Sequence, residues 1–382
     1  MDPKYRVEIL DRSLNRITKI LSFYPINSSG QLLTYSNKLS DYGVCRFRAA
    51  TKDPLFDQFG DIFQPYFNHV RIYRSGYLVW AGVIIDIPHR NKRYVEIRAY
   101  TYLFLLSKIL IRHDTTGDTN YRTFNSGTMA TAVQNIVTEA KADVDQASVI
   151  KQVTLGTIEN GTFPKGTADL SNVDVSGNAW TFNTTYMTLK FDYRTVLYCI
   201  TQFANYAQMD FEIDSTLAFR FMRRIGTNRP DLLFEYSNYG SIEDYDVPLW
   251  GNRMANALTG VAADNQYNII KAEATDQASI ARYGKIADVA AYMDVKNKNA
   301  LNARLNQEIL LVSTPDAEMN FALNDRAYPL GEYQLGDTGR FKINDGVIQV
   351  DQMRRIVGIE VKVEQNGAES LVLQTNKPRE GQ

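Results

Sequence analysis

At 382 residues the chain is too long for one ordinary hydrophobic core, so two or three domains are expected. Hydrophobic residues make up 44% and charged residues 22%, as in a folded globular protein, and a formal net charge of −1 excludes a global basic field for nucleic acid or anionic lipid. Cys45 and Cys199 stand in no metal-ligand spacing, and none of His69, His89 and His113 has a Cys or His partner three to five residues on, which excludes a zinc framework and leaves both thiols as buried and free.

The chain begins MDPKYRVEIL, which enters a strand directly and has no apolar signal-peptide core. Tyr5 to Leu10 and Val44 to Ala49 alternate charged and apolar residues, the pattern of half-buried strands. Between them, Pro25 to Ser40 is rich in Asn, Ser and Gly and reads as a connection with a short strand at Leu32 to Tyr35. Lys52 to Gln64 reads as a helix or turn. From His69 onward three strands follow, and Tyr94 to Tyr100 alternates strictly.

Ile111 to Thr128 is polar and Gly-punctuated, a boundary. Ala130, Val133, Ile136, Val137 and Ala140 recur at helical spacing and predict a helix over Thr128 to Asp143. Val144 to Thr185 reads as a β-rich insertion in which Phe163, Trp180 and Phe182 need burial. Asp192 to Ala207 carries the clearest helical stripe, and a hairpin of Asp210 to Ile213 and Leu217 to Arg223 follows it. In the last third, Ser241 to Asn252 reads as a transition, Tyr267 to Thr275 as a strand and Asn299 to Ile309 as a helix.

One β-unit is written twice. Arg71 to Tyr100 and Arg340 to Thr375 each give a strand, a Gly turn (Ser75-Gly76, Asp345-Gly346), a second strand running through an Ile/Val stretch, a polar turn and a closing strand. The fold class expected is α+β, mainly antiparallel β, with two tube-like β-barrel domains and intervening α+β segments. The divisions are residues 1–112, 113–235 and 236–382. The 23 tyrosines and 18 phenylalanines are read as sheet core.

The inventory of reactive groups is thin. There is no phosphate loop, dinucleotide fingerprint, H-E-x-x-H or G-x-S-x-G motif. Glu243, Asp244 and Asp246 crowd one segment and could imitate a glycosidase acid pair or a calcium loop, but the turn Gly of a calcium loop is absent, so a solvated loop is read there. Asp143 and Asp145 close a helix and face solvent. The basic groups Arg90, Lys92, Arg93 and Arg223, Arg224, Arg229 read as hairpin ends and strand edges, where charge deters edge-to-edge pairing. No catalytic, cofactor-binding or metal-binding residue is assigned, and no apolar run reaches the roughly 18 to 20 residues of a membrane span.

The order of these elements resembles the tail-hub proteins of phage baseplates and related contractile injection machines. The resemblance rests on Tyr42 to Phe47 followed by Val70 to Ile87, on the helix and hairpin of Thr195 to Phe221, and on Asn268 to Lys271. It rests also on Ser279 to Gly284, whose Tyr-Gly the family follows with a helix, and on Tyr333 to Asp337 leading into Arg354 to Val361. It implies a structural, non-enzymatic virion protein made in the host cytoplasm. Three copies, each with two barrels, would form a pseudo-sixfold ring joining a hexameric tail tube or distal tail protein above to a spike, fibre or tape-measure protein at the tip, with no cofactor and no sequence-specific nucleic acid. Two other readings stay open: a carbohydrate-binding or carbohydrate-active tail-tip protein, and a distal tail or tube protein.

Overall fold

Period-two alternation sets most of the strands. In Val44–Ala50 the side chains of Cys45, Phe47 and Ala49 are fully buried and their neighbours are not. In Glu369–Asn376 the buried set is Leu371, Leu373 and Thr375. The computed structural model describes residues 4–54, 56, 62–111, 122–127, 129–145, 148–160, 170–175, 178–182, 187–191, 194–207, 209–248, 254–263, 268–292, 298–314, 318–324 and 328–378.

The N-terminal unit contains β1 (Tyr5–Leu10), β2 (Arg16–Lys19), β3 (Gln31–Lys38), β4 (Val44–Ala50), β5 (His69–Arg74), β6 (Tyr77–Arg90) and β7 (Tyr94–Thr101). Its strands are ordered β2-β1-β5-β6-β7-β4-β3. The sheet curls until β1 and β3 face each other: the Tyr5 and Tyr35 hydroxyls lie 3.4 Å apart. Trp80, 1% exposed, fills the interior and donates from Nε1 to the Ser36 carbonyl at 3.0 Å.

A short 3-10 helix, Tyr102–Lys108, leads into the middle of the chain. There β8 (Arg122–Gly127), α1 (Met129–Asp143), β9 (Thr154–Ile158), β10 (Leu170–Val175), β11 (Asn178–Phe182), β12 (Met187–Phe191), α2 (Val196–Ala207), β13 (Asp210–Ile213) and β14 (Ala218–Met222) follow. The helical stripes do what their spacing predicts. Val133, Ile136, Val137 and Ala140 of α1 and Val196, Ile200 and Phe203 of α2 are buried in one core with the β13–β14 hairpin. The insertion carries an antiparallel sheet ordered β10-β11-β12-β8, with Trp180 and Phe182 on β11 opposite Val173 and Leu170; Phe163 lies outside the described residues.

The C-terminal third holds β15 (Asn228–Tyr236), β16 (Ile242–Asp246), β17 (Ala257–Ala263), β18 (Ile269–Thr275), α3 (Gln277–Tyr283), β19 (Ala287–Ala291), α4 (Lys298–Val312), β20 (Met319–Leu323), β21 (Thr338–Asn344), β22 (Gln349–Glu364) and β23 (Glu369–Asn376). The order β22-β21-β15-β16-β20-β23 returns to β22, so six strands close a barrel. Its interior is an aromatic stack: Phe341 lies face to face with Phe234 and Phe321, both at 4.6 Å between ring centres. The strands β17, β18 and β19 form a separate sheet covered by α4.

Both halves of the written-twice unit are three-stranded antiparallel meanders, β5-β6-β7 and β21-β22-β23, each with a long central strand. Their first turns hold Gly76 at φ +88 and Gly346 at φ +89, the left-handed region that favours glycine. The segment Pro25 to Ser40 holds more than a connection. Its β3 runs over eight residues and pairs with β4 on one side and with β22 of the barrel on the other, making one continuous sheet of both units. Ser241 to Asn252, read as a transition, supplies barrel strand β16, and β15 draws the barrel back across position 235. Tyr283-Gly284 ends α3, with Gly284 at φ 78, and strand β19 comes before the next helix.

Candidate assembly surface

The units are tied by buried ions as well as by strands. Arg355 on β22 meets Asp210 on β13, and their side chains are 3% and 0% exposed. Arg355 Nη1 donates to Asp210 Oδ1 at 3.0 Å, Nη2 donates to Oδ2 and, at 2.9 Å, to the Ile225 carbonyl, and Nε donates to the Gly336 carbonyl at 3.1 Å. Asp210 Oδ2 also accepts the Ile225 N–H at 2.8 Å. Every polar edge is used, the condition for keeping such a pair in a dry interior. A glycine lets the chains close on this node: a Cβ at Gly336, whose φ is +85, would come to 1.8 Å from the Ile225 carbonyl oxygen.

A second tie joins the two β-units directly. Arg74, the last residue of β5, donates from Nε and Nη2 to the carboxylate of Glu369, the first residue of β23, at 2.8 and 2.9 Å. Lys4 Nζ lies 3.1 Å from the same carboxylate. Burial pushes the Glu369 carboxyl up, but hydrogen bonds from Arg74, Tyr5 and Lys4 outweigh it and hold the group at about 2. Within the N-terminal unit, Glu96 is buried and receives Arg46 Nε at 2.7 Å and Arg48 Nε at 2.8 Å. Burial opposes its charge, and the two guanidinium hydrogen bonds prevail and lower its pKa.

The side chains singled out in the sequence are scattered across these units. His69 is buried at the start of β5, where burial lowers its pKa to about 4; its ring packs on Tyr102. His89 is exposed at the end of β6, and His113 lies outside the described residues. Cys45 and Cys199 are buried, and burial pushes both thiols up, which suits packing rather than nucleophilic chemistry. Glu243, Asp244 and Asp246 do lie exposed, but on a strand rather than a loop. Asp143 ends α1, and Arg12 lies 3.8 Å from Asp145. Arg224 donates to Thr338 Oγ1 at 2.7 Å and Arg229 pairs with Asp231, so both serve local structure. Among the described residues no group of three or more His, Cys, Asp or Glu could hold a metal ion, and no helix is long and apolar enough to cross a membrane.

A groove of about 600 Å³ lies between the units, bordered by Trp80, Leu103, Arg220, Tyr333 and Leu335. Its main charges compensate locally, since Arg220 pairs with both Asp214 and Glu212. What the surface does offer is a set of apolar side chains on turns: Tyr77 is 79% exposed, Val347 90% and Tyr239 93%. Tyr77 and Val347 each follow the turn glycine of their own meander. Sequence reasoning located these turns but had no signal for the exposure of the residues on them.

No protein-family model matches the sequence, and no curated protein sequence matches it. The fold does have solved counterparts. The 43 kDa tail protein of prophage MuSo2 from Shewanella oneidensis superposes with a TM-score of 0.63 at 10% identity, over 98% of either chain. The tail protein from Neisseria meningitidis MC58 gives 0.58 at 11% identity, over 98% of this chain and 96% of that one. A prophage tail protein from Listeria monocytogenes EGD-e gives 0.56 at 13% identity, over 98% and 95%. The chain therefore shares, nearly end to end, a fold that phage tail proteins use.

Proposed function

We propose that the protein is a structural tail or baseplate hub whose three copies form a ring of six β-units. The observation that carries this reading is the repeat itself. The meanders β5-β6-β7 and β21-β22-β23 belong to one continuous sheet, and β6 and β22 run parallel within it. Two similar units in one orientation per chain make a threefold assembly present six near-equivalent positions. The likeness to tail proteins supports the setting, a virion tail. On this reading the upper face meets a tail tube or distal tail protein and the lower face a spike, fibre or tape-measure protein, and function lies in interfaces rather than in a reaction. The organisation proposed is an N-terminal unit at 1–112, an α+β segment at 113–235 and a C-terminal unit at 236–382, with β15 reaching across the second boundary.

Light scattering on the purified full chain tests the proposal. The expected mass is three times 43.4 kDa, with threefold and pseudo-sixfold symmetry in electron-microscopy class averages. A monomer at every concentration removes the reading. A hexamer points instead to a distal tail or tube protein.

A further inference from the structure

Within the chain, the base of the first meander's turn reaches the second unit through Arg74, while Gly76 and Tyr77 at the end of the turn stay open. The turn after β5 is anchored by the Ser75 N–H on the Lys4 carbonyl at 2.8 Å, and the adjoining Arg74 grips Glu369 at the start of β23. The second meander has an equivalent tip, Asp345-Gly346-Val347, whose Val347 is 90% exposed. The position equivalent to Glu369 in the first meander is the start of β7, at Arg93-Tyr94. A ring repeats its contacts. The tip that has no second unit beside it within its own chain should therefore meet the start of β7 in the next copy.

The charges fit this contact with their signs exchanged. Around the second tip, Asp345, Glu243, Asp244 and Asp246 form no ion pair among the described residues. The bases of the neighbouring strand β21 are taken, Arg340 by Asp351 at 2.7 Å and Lys342 by Glu235 at 2.8 Å. Asp345 lies beside β16 because it accepts the Tyr245 hydroxyl. At the other site, Lys92 and Arg93 are exposed on the β6–β7 turn, and neither forms an ion pair among the described residues. That turn is held in place by the Thr51 N–H and hydroxyl, which donate to the Arg93 and Lys92 carbonyls at 3.0 and 2.7 Å.

We infer that the Asp345–Val347 hairpin and the acidic edge of β16 in one copy dock on the Lys92-Arg93 turn of a second copy, head to tail, closing the ring. This deepens the proposed hub and rests on it. Around the ring, base-on-acid contacts within chains alternate with acid-on-base contacts between chains. The contact gives opposite-charge partners to acidic and basic side chains that form no ion pair among the described residues.

The test is charge reversal in the full chain. Lys92→Glu with Arg93→Glu, and separately Asp244→Lys with Asp246→Lys, should each weaken trimerisation at least tenfold by light scattering. The four changes together should restore it to within about threefold. All four positions are exposed, and circular dichroism verifies that the variants fold. Asp345 is left intact because it caps its own turn, accepting the Val347 and Ile348 N–H groups. A trimeric wild type whose variants trimerise equally well, or a combined variant that does not recover, overturns this contact and leaves the hub standing. A wild type that never trimerises removes both.

Discussion

Glu369 sits against two cations and a tyrosine, and its carboxyl titrates at about 2. An unfolded glutamate titrates near 4.3. The folded value is depressed, so the stability gained is fully present above about pH 4.3 and is lost as pH falls through about 2. For a side chain only 7% exposed, a carboxyl held that far below its unfolded value corresponds to roughly 2–3 kcal/mol of folding stability. Glu369→Gln should lower the urea-unfolding free energy by about that much at pH 7 and make almost no difference near pH 2. Equal effects at both pH values would show that the carboxylate is not what Arg74 and Lys4 hold.

Among the elements, the closed barrel depends most on its aromatic stack. Phe341→Ala removes the ring that touches both Phe234 and Phe321 and leaves a cavity between strands on three sides. The expected cost is about 3–5 kcal/mol in equilibrium unfolding; a cost below about 1 kcal/mol would mean that the barrel collapses around the gap. The strands that were legible in the sequence are those with one wet face and one dry face, such as β4 and β7. Those that escaped are polar, short or irregular. In β15, Arg229, Pro230 and Asp231 break the alternation, and only Leu232 and Phe234 are buried. Strand β16 reads IEDYD, with Ile242 its one buried residue. Strand β3 was half hidden because only Leu33 and Tyr35 of its eight residues are buried, and its second half, Ser36-Asn37-Lys38, is polar and carries no hydrophobic signature. The end of α3 shows another limit: Asp276 caps its start by accepting the Ser279 N–H at 3.0 Å, and Tyr283-Gly284 marks a stop. The surface was legible as charge clusters and turn glycines, but their pairing depended on which strands came to lie beside each other.

At the scale of the molecule, Arg355 and Asp210 fasten the middle of the chain to the barrel. Arg355→Met keeps much of the length of the side chain and strands a buried carboxylate, a loss of about 3–5 kcal/mol. Calorimetry should then show the melting of the α1–α2 core separating from that of the barrel, whereas a single step is the expected outcome for the wild type. Asp210→Asn with Arg355→Met should recover part of the loss, because no bare charge remains. A variant that melts in a single step at the wild-type temperature would show that the strands alone hold the two regions together.

The strand β3 has a mechanical consequence. Its ladder to β22, from Gln31 opposite Glu364 to Lys38 opposite Gly358, lies between the two β-units. A force that slides one unit past the other along the strands loads all of those bonds at once, while a force that peels the units apart loads them one after another. The joint is therefore stiff against thrust along the strands and yields to prying across them, and cross-linking β3 to β22 should raise the prying force far more than the sliding force.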